Sequence, residues 1–261
     1  PRYADGGAFV PLDDIASPDE VAARLARELG IRLRSGDAID AVAAALRDRH
    51  MLLVLDNFEQ IASGAPQLQR LVDECPRLTL VVTSRVRLGL APERVFPVEG
   101  LPCPEPEDLD RIEAFDAARL FIESAHRVQP ALVASAEAPA IVDICRQVEG
   151  LPLALQLAAG WTRVLSCEAI AEELRHGTDL LKAVDGAQSG RHASFEVVFD
   201  QSWRLLGDTE RVALARLSVF RGGFAPEAAR AVAGASLPVL GALADKSLLR
   251  KEGSRLQLHP L

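Results

Sequence analysis

The stretch Met51-Leu52-Leu53-Val54-Leu55-Asp56-Asn57 decides the fold: an apolar run without alternation that ends on a carboxylate. Such a run predicts a strand covered on both faces, and strands of that kind belong to parallel sheets. Downstream, Leu68, Leu71, Val72 and Cys75 fall at i, i+3, i+4 and i+7, the spacing of a helix with one apolar face. A second apolar run, Leu78 to Val82, then ends on Thr83-Ser84-Arg85. Strand, helix, strand predicts an α/β unit whose crossover helices cover a parallel sheet.

Upstream, Gly6 to Leu12 reads as a short strand. Ser17-Pro18-Asp19-Glu20 supplies an N-cap, a first-turn proline and a capping-box glutamate for a helix carrying Val21, Leu25 and Leu29 on one face. Ile39, Val42 and Leu46 mark a second amphipathic helix, and Val95-Phe96-Pro97-Val98 is a further candidate strand, placed at a sheet edge or with the proline at its end. From Leu101 to Asp110 the chain carries three prolines and four acidic residues, the composition of a connector. Beyond it, residues 115–128, 138–148 and 153–165 have helical spacing with no strand between them. Residues 185–194, rich in glycine and small polar side chains, read as a hinge before two helical runs at 208–220 and 226–233. Residues 237–258 then read as a helix, a short strand at Ser247-Leu248-Leu249-Arg250, a turn at Glu252-Gly253 and a strand at Arg255-Leu256-Gln257-Leu258. Helices followed by a two-stranded wing suggest a winged helix. The expected architecture is α/β then all-α, divided at 1–101, 102–184 and 185–261.

With 261 residues, 49% of them apolar, the chain can bury a real core. Lys and Arg number 29 against 37 Asp and Glu, a net charge of −8, which argues against a protein built to coat nucleic acid. No stretch approaches the ~18 apolar residues of a membrane span, and the N-terminus lacks the basic-then-apolar pattern of a secretory leader, so a cytoplasmic protein is expected. Cys75, Cys103, Cys145 and Cys167 stand far apart without CxxC spacing, which points to reduced, mostly buried thiols. The chain opens on Pro1 and its sole methionine is Met51, so a longer parent is expected.

Open α/β sheets bind ligands at the carboxyl ends of their strands, where Asp56 and Arg85 fall. A carboxylate there can hold Mg²⁺ directly or through water, and the metal in turn holds nucleotide phosphates. A guanidinium there, planar and always charged, suits a γ-phosphate. Taken singly, each has a plainer reading: Asp56 as a turn or helix cap, Arg85 as a surface residue ending a strand. Gly150-Leu151-Pro152-Leu153 is by itself ordinary helix grammar, with proline in the first turn.

Taken together, in this order and spacing, these stretches resemble the nucleotide-binding core of STAND ATPases, the NB-ARC group that includes bacterial regulators of the AfsR, LuxR and MalT kinds. Leu53 to Gln60 looks like the family's Walker B segment, Thr83-Ser84-Arg85 like its sensor motif and Gly150-Leu151-Pro152-Leu153 like its GLPL motif. Residues 217–224 and 245–249 look like its winged-helix segment, and His259-Pro260 occupies the place of its MHD motif. The resemblance implies an incomplete parallel-sheet P-loop NTPase core at 1–101, a helical lid module at 102–184 and a winged-helix module at 185–261. It implies a regulatory switch, closed with ADP and open with ATP, that works with Mg²⁺ and with other domains of its parent: a DNA-binding effector, a helical-repeat sensor, and oligomeric partners when active. Asp56 would serve Mg²⁺, Arg85 would sense the γ-phosphate, Gly150 and Pro152 would lie against the nucleotide, and His259 would approach the ADP phosphates. Asn57 stands where a second acidic residue often polarises the attacking water, so slow hydrolysis or none is expected. The chain has no G-x-x-x-x-G-K-[ST], and its only lysines are Lys182, Lys246 and Lys251, so these residues alone are expected to bind nucleotide weakly.

Two rival classes remain. A winged-helix transcription factor independent of nucleotide would draw on the positive balance beyond Gln201, where Lys and Arg number 9 against 5 acidic residues, a net of +4. Its recognition helix, however, would be Ser236 to Asp245, which holds no Arg, Lys, Asn or Gln to read base edges. A hydrolase or redox enzyme would need a catalytic constellation; G-x-S-x-G, H-E-x-x-H and G-x-G-x-x-G are all missing.

Overall fold

Asp56 ends the middle strand of a three-stranded parallel sheet. The computed structural model describes residues 2–33, 37–176, 195–220 and 222–258. Strands β1 (Gly7–Pro11), β2 (Met51–Asp56) and β3 (Leu78–Val82) lie in the order β1-β2-β3, with Val10 opposite Leu55 and Leu55 opposite Val82. Helices α1 (Glu20–Glu28) and α2 (Ala38–Leu46) lie between β1 and β2 in the chain, and α3 (Ala65–Glu74) lies between β2 and β3. Their apolar stripes, among them Leu25, Leu46, Leu68 and Leu71, form one core with Val10, Leu53 and Leu55 of the sheet. Each side chain so buried contributes about 1.5–3 kcal/mol.

Among the described residues one face of the sheet is buried and the other only partly covered, against the expectation of two covered faces. Met51, Leu53 and Leu55 are buried, but the opposite face carries the row Phe9, Val54 and Val81, in which Phe9 is 58% and Val81 47% exposed. Among the described residues the core helices all pack against the first face, so alternate residues of an unbroken apolar run remain half-covered. The capping box is not formed either. Helix α1 begins at Glu20, and Ser17 accepts from the backbone of Asp19 and Glu20 as a turn before it. Residues 95–98 form no strand: Pro92 and Pro97 remove backbone donors, and Phe96 and Val98 are exposed.

The described chain divides into two compact units, one of Pro1–Val95 with Phe220–Gln257 and one of Phe96–Val219 with Leu258–Leu261. The first contains, besides the sheet, α10 (Pro226–Ala233), α11 (Leu237–Asp245) and, up to Gln257, a hairpin of β4 (Leu249–Glu252) and β5 (Arg255–Leu258). Phe224 exchanges both backbone hydrogen bonds with Leu256 of β5, at 2.7 and 2.8 Å. The second unit contains α4 (Asp116–Val128), α5 (Ala138–Gln147), α6 (Pro152–Gly160), α7 (Cys167–His176), α8 (Phe195–Arg204) and α9 (Asp208–Leu217). Phe121, Ile141, Ile144, Leu155 and Ile170 are central to its core. Helices α7 and α8 have no counterpart in the sequence reading, and the hinge at 185–194 lies outside the described residues. No helix among the described residues is long and apolar enough to cross a membrane.

Candidate functional site

The chain leaves β2 through Asn57, whose φ of 63° lies in the left-handed region that asparagine tolerates better than most residues. That turn sends Phe58 into the core, fully buried, as the first residue of a 3-10 segment, Phe58–Gly64. The end of β3 lies alongside. Thr83 donates its backbone N–H to Leu55 at 2.9 Å and accepts from Phe58 at 3.1 Å through its carbonyl. Its hydroxyl accepts the backbone N–H of Asn57 at 3.1 Å and donates to the Asp56 carboxylate.

Two residues beyond Thr83, the Arg85 guanidinium forms an ion pair with Glu59, Nε to Oε1 at 3.4 Å. The following loop is held by its own polar groups. Ser84 both donates to and accepts from the backbone of Val86, at 2.8 and 3.1 Å, and Glu93 accepts from the backbones of Leu88 and Gly89. Arg87 donates its backbone N–H to the carbonyl of Asp245 at the end of α11, 2.9 Å away, and its side chain faces the Asp245 carboxylate at 3.5 Å.

The first unit thus brings Asp56 and Arg85 to the carboxyl end of one sheet. Gly150 and Pro152 lie in the second unit, Pro152 as the first residue of α6 and Gly150 two residues before it. Gly150 has φ of +67° and donates to the carbonyl of Cys145 at 3.0 Å, while its own carbonyl accepts from Leu101 at 2.9 Å. His259 lies outside the described residues. Reading the sequence motif by motif included Thr83 and Glu59 within its motifs but gave neither a role. A hydroxyl at one strand end beside a carboxylate at the next is a weak signal for the first. No local signal pairs Glu59 with Arg85.

A carboxylate such as that of Asp56, with a hydroxyl beside it, offers oxygen atoms of the kind that hard cations take as ligands. No group of three or more His, Cys, Asp or Glu side chains among the described residues could hold a metal by itself, so any Mg²⁺ here would draw part of its oxygen shell from its ligand and water. A concavity of about 540 Å³ in the second unit, lined by Leu132, Val133, Glu137, Arg163 and Cys167 among others, includes none of the candidate residues. Burial, and after it Glu137, pushes the Cys167 thiol up to about 12, so it is protonated and inert at neutral pH.

The fold is mixed α/β, a small parallel sheet accompanied by many helices. No family model matches the chain. It is 34% identical over 258 residues to the "Putative HTH-type transcriptional regulator Rv0890c" of Mycobacterium tuberculosis, an alignment that takes in 94% of this chain and 28% of that protein. It is 33% identical over 224 residues to the "Uncharacterized protein Rv0894" of the same organism, covering 85% of this chain and 54% of the other. The chain therefore spans only part of the curated relatives it matches. Among solved structures it is similar to a Signal Transduction ATPase with Numerous Domains (STAND) protein with a tetratricopeptide repeat sensor from Pyrococcus horikoshii. That match has 17% identity and a TM-score of 0.33, over 97% of this chain and 35% of that one. A second similarity is to Cdc6p from Pyrobaculum aerophilum, with 14% identity and a TM-score of 0.39, over 97% of this chain and 76% of that one.

Proposed function

We propose that this chain is the core of a nucleotide-dependent switch in a bacterial regulator of transcription, with ADP or ATP and Mg²⁺ as its ligands. The observation that carries the reading is the joint at Thr83, which places the Asp56 carboxylate and the Arg85 guanidinium at neighbouring parallel strand ends. Phosphates and their metal are bound there in open α/β sheets. Asp56 would hold Mg²⁺ and Arg85 a terminal phosphate, with Gly150, Pro152 and His259 completing the site as the motif resemblance implies. The three modules would be a P-loop-like core, a helical lid and a winged helix made of the last helices and the β4–β5 hairpin. The regulatory output is supported by the name of the relative Rv0890c, of which this chain matches 28%. Helix α11 carries Leu237 to Asp245 without a base-reading side chain, so DNA contact would fall to other parts of the protein.

Calorimetry with Mg-ATP and Mg-ADP tests the reading. In the full-length protein, Asp56→Ala should weaken Mg-nucleotide binding, and Arg85→Ala should lower the preference for ATP over ADP. An unchanged ATP-to-ADP affinity ratio in a folded Arg85→Ala protein removes Arg85 from the site. Binding that ignores both substitutions removes the reading itself.

A further inference from the structure

We infer that Glu59 is the positioning residue for Arg85, and that its carboxylate and a phosphate group are rival partners for that guanidinium. The inference rests on the nucleotide reading above and adds to it the element that sets how readily the site accepts an anion.

The pair is built on a rigid frame. Glu59 follows Phe58, whose backbone is bonded to Thr83 at 3.1 Å and whose ring is wholly buried. Arg85 follows Thr83 by two residues and lies inside the turn that Ser84 closes on Val86. One joint therefore roots both partners, and their meeting does not depend on two mobile side chains finding each other. Their shielding points the same way. The Glu59 side chain is 10% exposed and that of Arg85 26%, so the pair is partly withdrawn from water. An arginine has five donors in a planar fork and can serve a second anion without leaving the first. An arriving phosphate then meets a guanidinium already aimed by Glu59, and also a carboxylate of its own sign a few ångströms away. Glu59 orients Arg85 and opposes the anion that Arg85 would bind.

Neutralising Glu59 while keeping its shape separates these effects. In the 261-residue chain, the Arg85 Nε–H resonance, assigned by its loss in Arg85→Lys, reports the pair directly. Glu59→Gln should shift that resonance with no anion present and should tighten binding of inorganic pyrophosphate about fivefold or more, the lower end of usual coupling between sites. In an Arg85→Gln background the same substitution should bring no gain. Unchanged pyrophosphate affinity in a folded Glu59→Gln protein overturns the inference, as does absence of pyrophosphate binding to both forms. If Glu59→Gln does not fold, Glu59→Asp, which withdraws the carboxylate by one methylene, should show part of the gain, and wild-type affinity there overturns the inference. Failure of the nucleotide reading looks different: pyrophosphate would respond to Glu59 as described while Mg-ATP and Mg-ADP bound no better than pyrophosphate.

Discussion

The hydroxyl of Thr83 donates to the carboxylate of Asp56 while accepting the backbone N–H of Asn57, so one side chain ties the end of β3 to the turn after β2. Thr83→Val keeps the shape and removes both bonds. It should cost about 0.5–1.5 kcal/mol in urea denaturation, because the groups it leaves are partly solvated. Thr83→Ser should restore most of that loss, and equal losses for Val and Ser would mean that packing, not the hydroxyl, matters at this joint.

Gly150 and Leu101 cross at backbone contact. The Leu101 N–H reaches the Gly150 carbonyl at 2.9 Å, and a Cβ on Gly150 would overlap the Leu101 carbonyl oxygen. A Cβ on Gly100 would likewise overlap the Glu149 carbonyl oxygen. Gly150→Ala, which also forces an alanine to φ of +67°, should destabilise the second unit by about 2–4 kcal/mol. Hydrogen exchange of α5 and α6 would register it, and unchanged protection would show that the crossing yields easily.

Gly241 sits inside α11 with open space where a Cβ would go. Gly241→Ala should raise stability by about 0.5–1 kcal/mol by lowering the backbone entropy of the unfolded chain and improving helix propensity. A fall in the midpoint of thermal unfolding would contradict this.

Burial pushes the Cys145 thiol up to about 12 from an ordinary 9.0, with Cys103 adding to the effect. The folded state therefore holds this proton more tightly than the unfolded state. The resulting stability is complete below pH 9, where both states are protonated, and is lost as pH rises from about 9 towards 12. Urea midpoints followed across that range should fall less steeply in Cys145→Ala than in the parent chain, and identical slopes would assign the alkaline loss to other groups.

Much of the molecule was legible in the chain. The unbroken run Met51 to Leu55 and its counterpart Leu78 to Val82, with a helical period between them, determined a parallel sheet with crossover helices. The same local patterns located α1 to α6, α9 to α11 and the β4–β5 hairpin, because a segment's own periodicity records which of its faces is buried. They also put Asp56 and Arg85 at strand ends. Only the tertiary structure decided that one face of the sheet is covered, that residues 95–98 stay outside it, and that Phe220–Gln257 belongs to the same unit as the sheet. Only it paired Arg85 with Glu59, joined Thr83 to Asp56, and pressed Gly150 against Leu101. The reason is physical. Pairings between segments distant in the chain are chosen by how whole elements pack and close their loops, and a local pattern of apolar and polar residues carries no record of that choice.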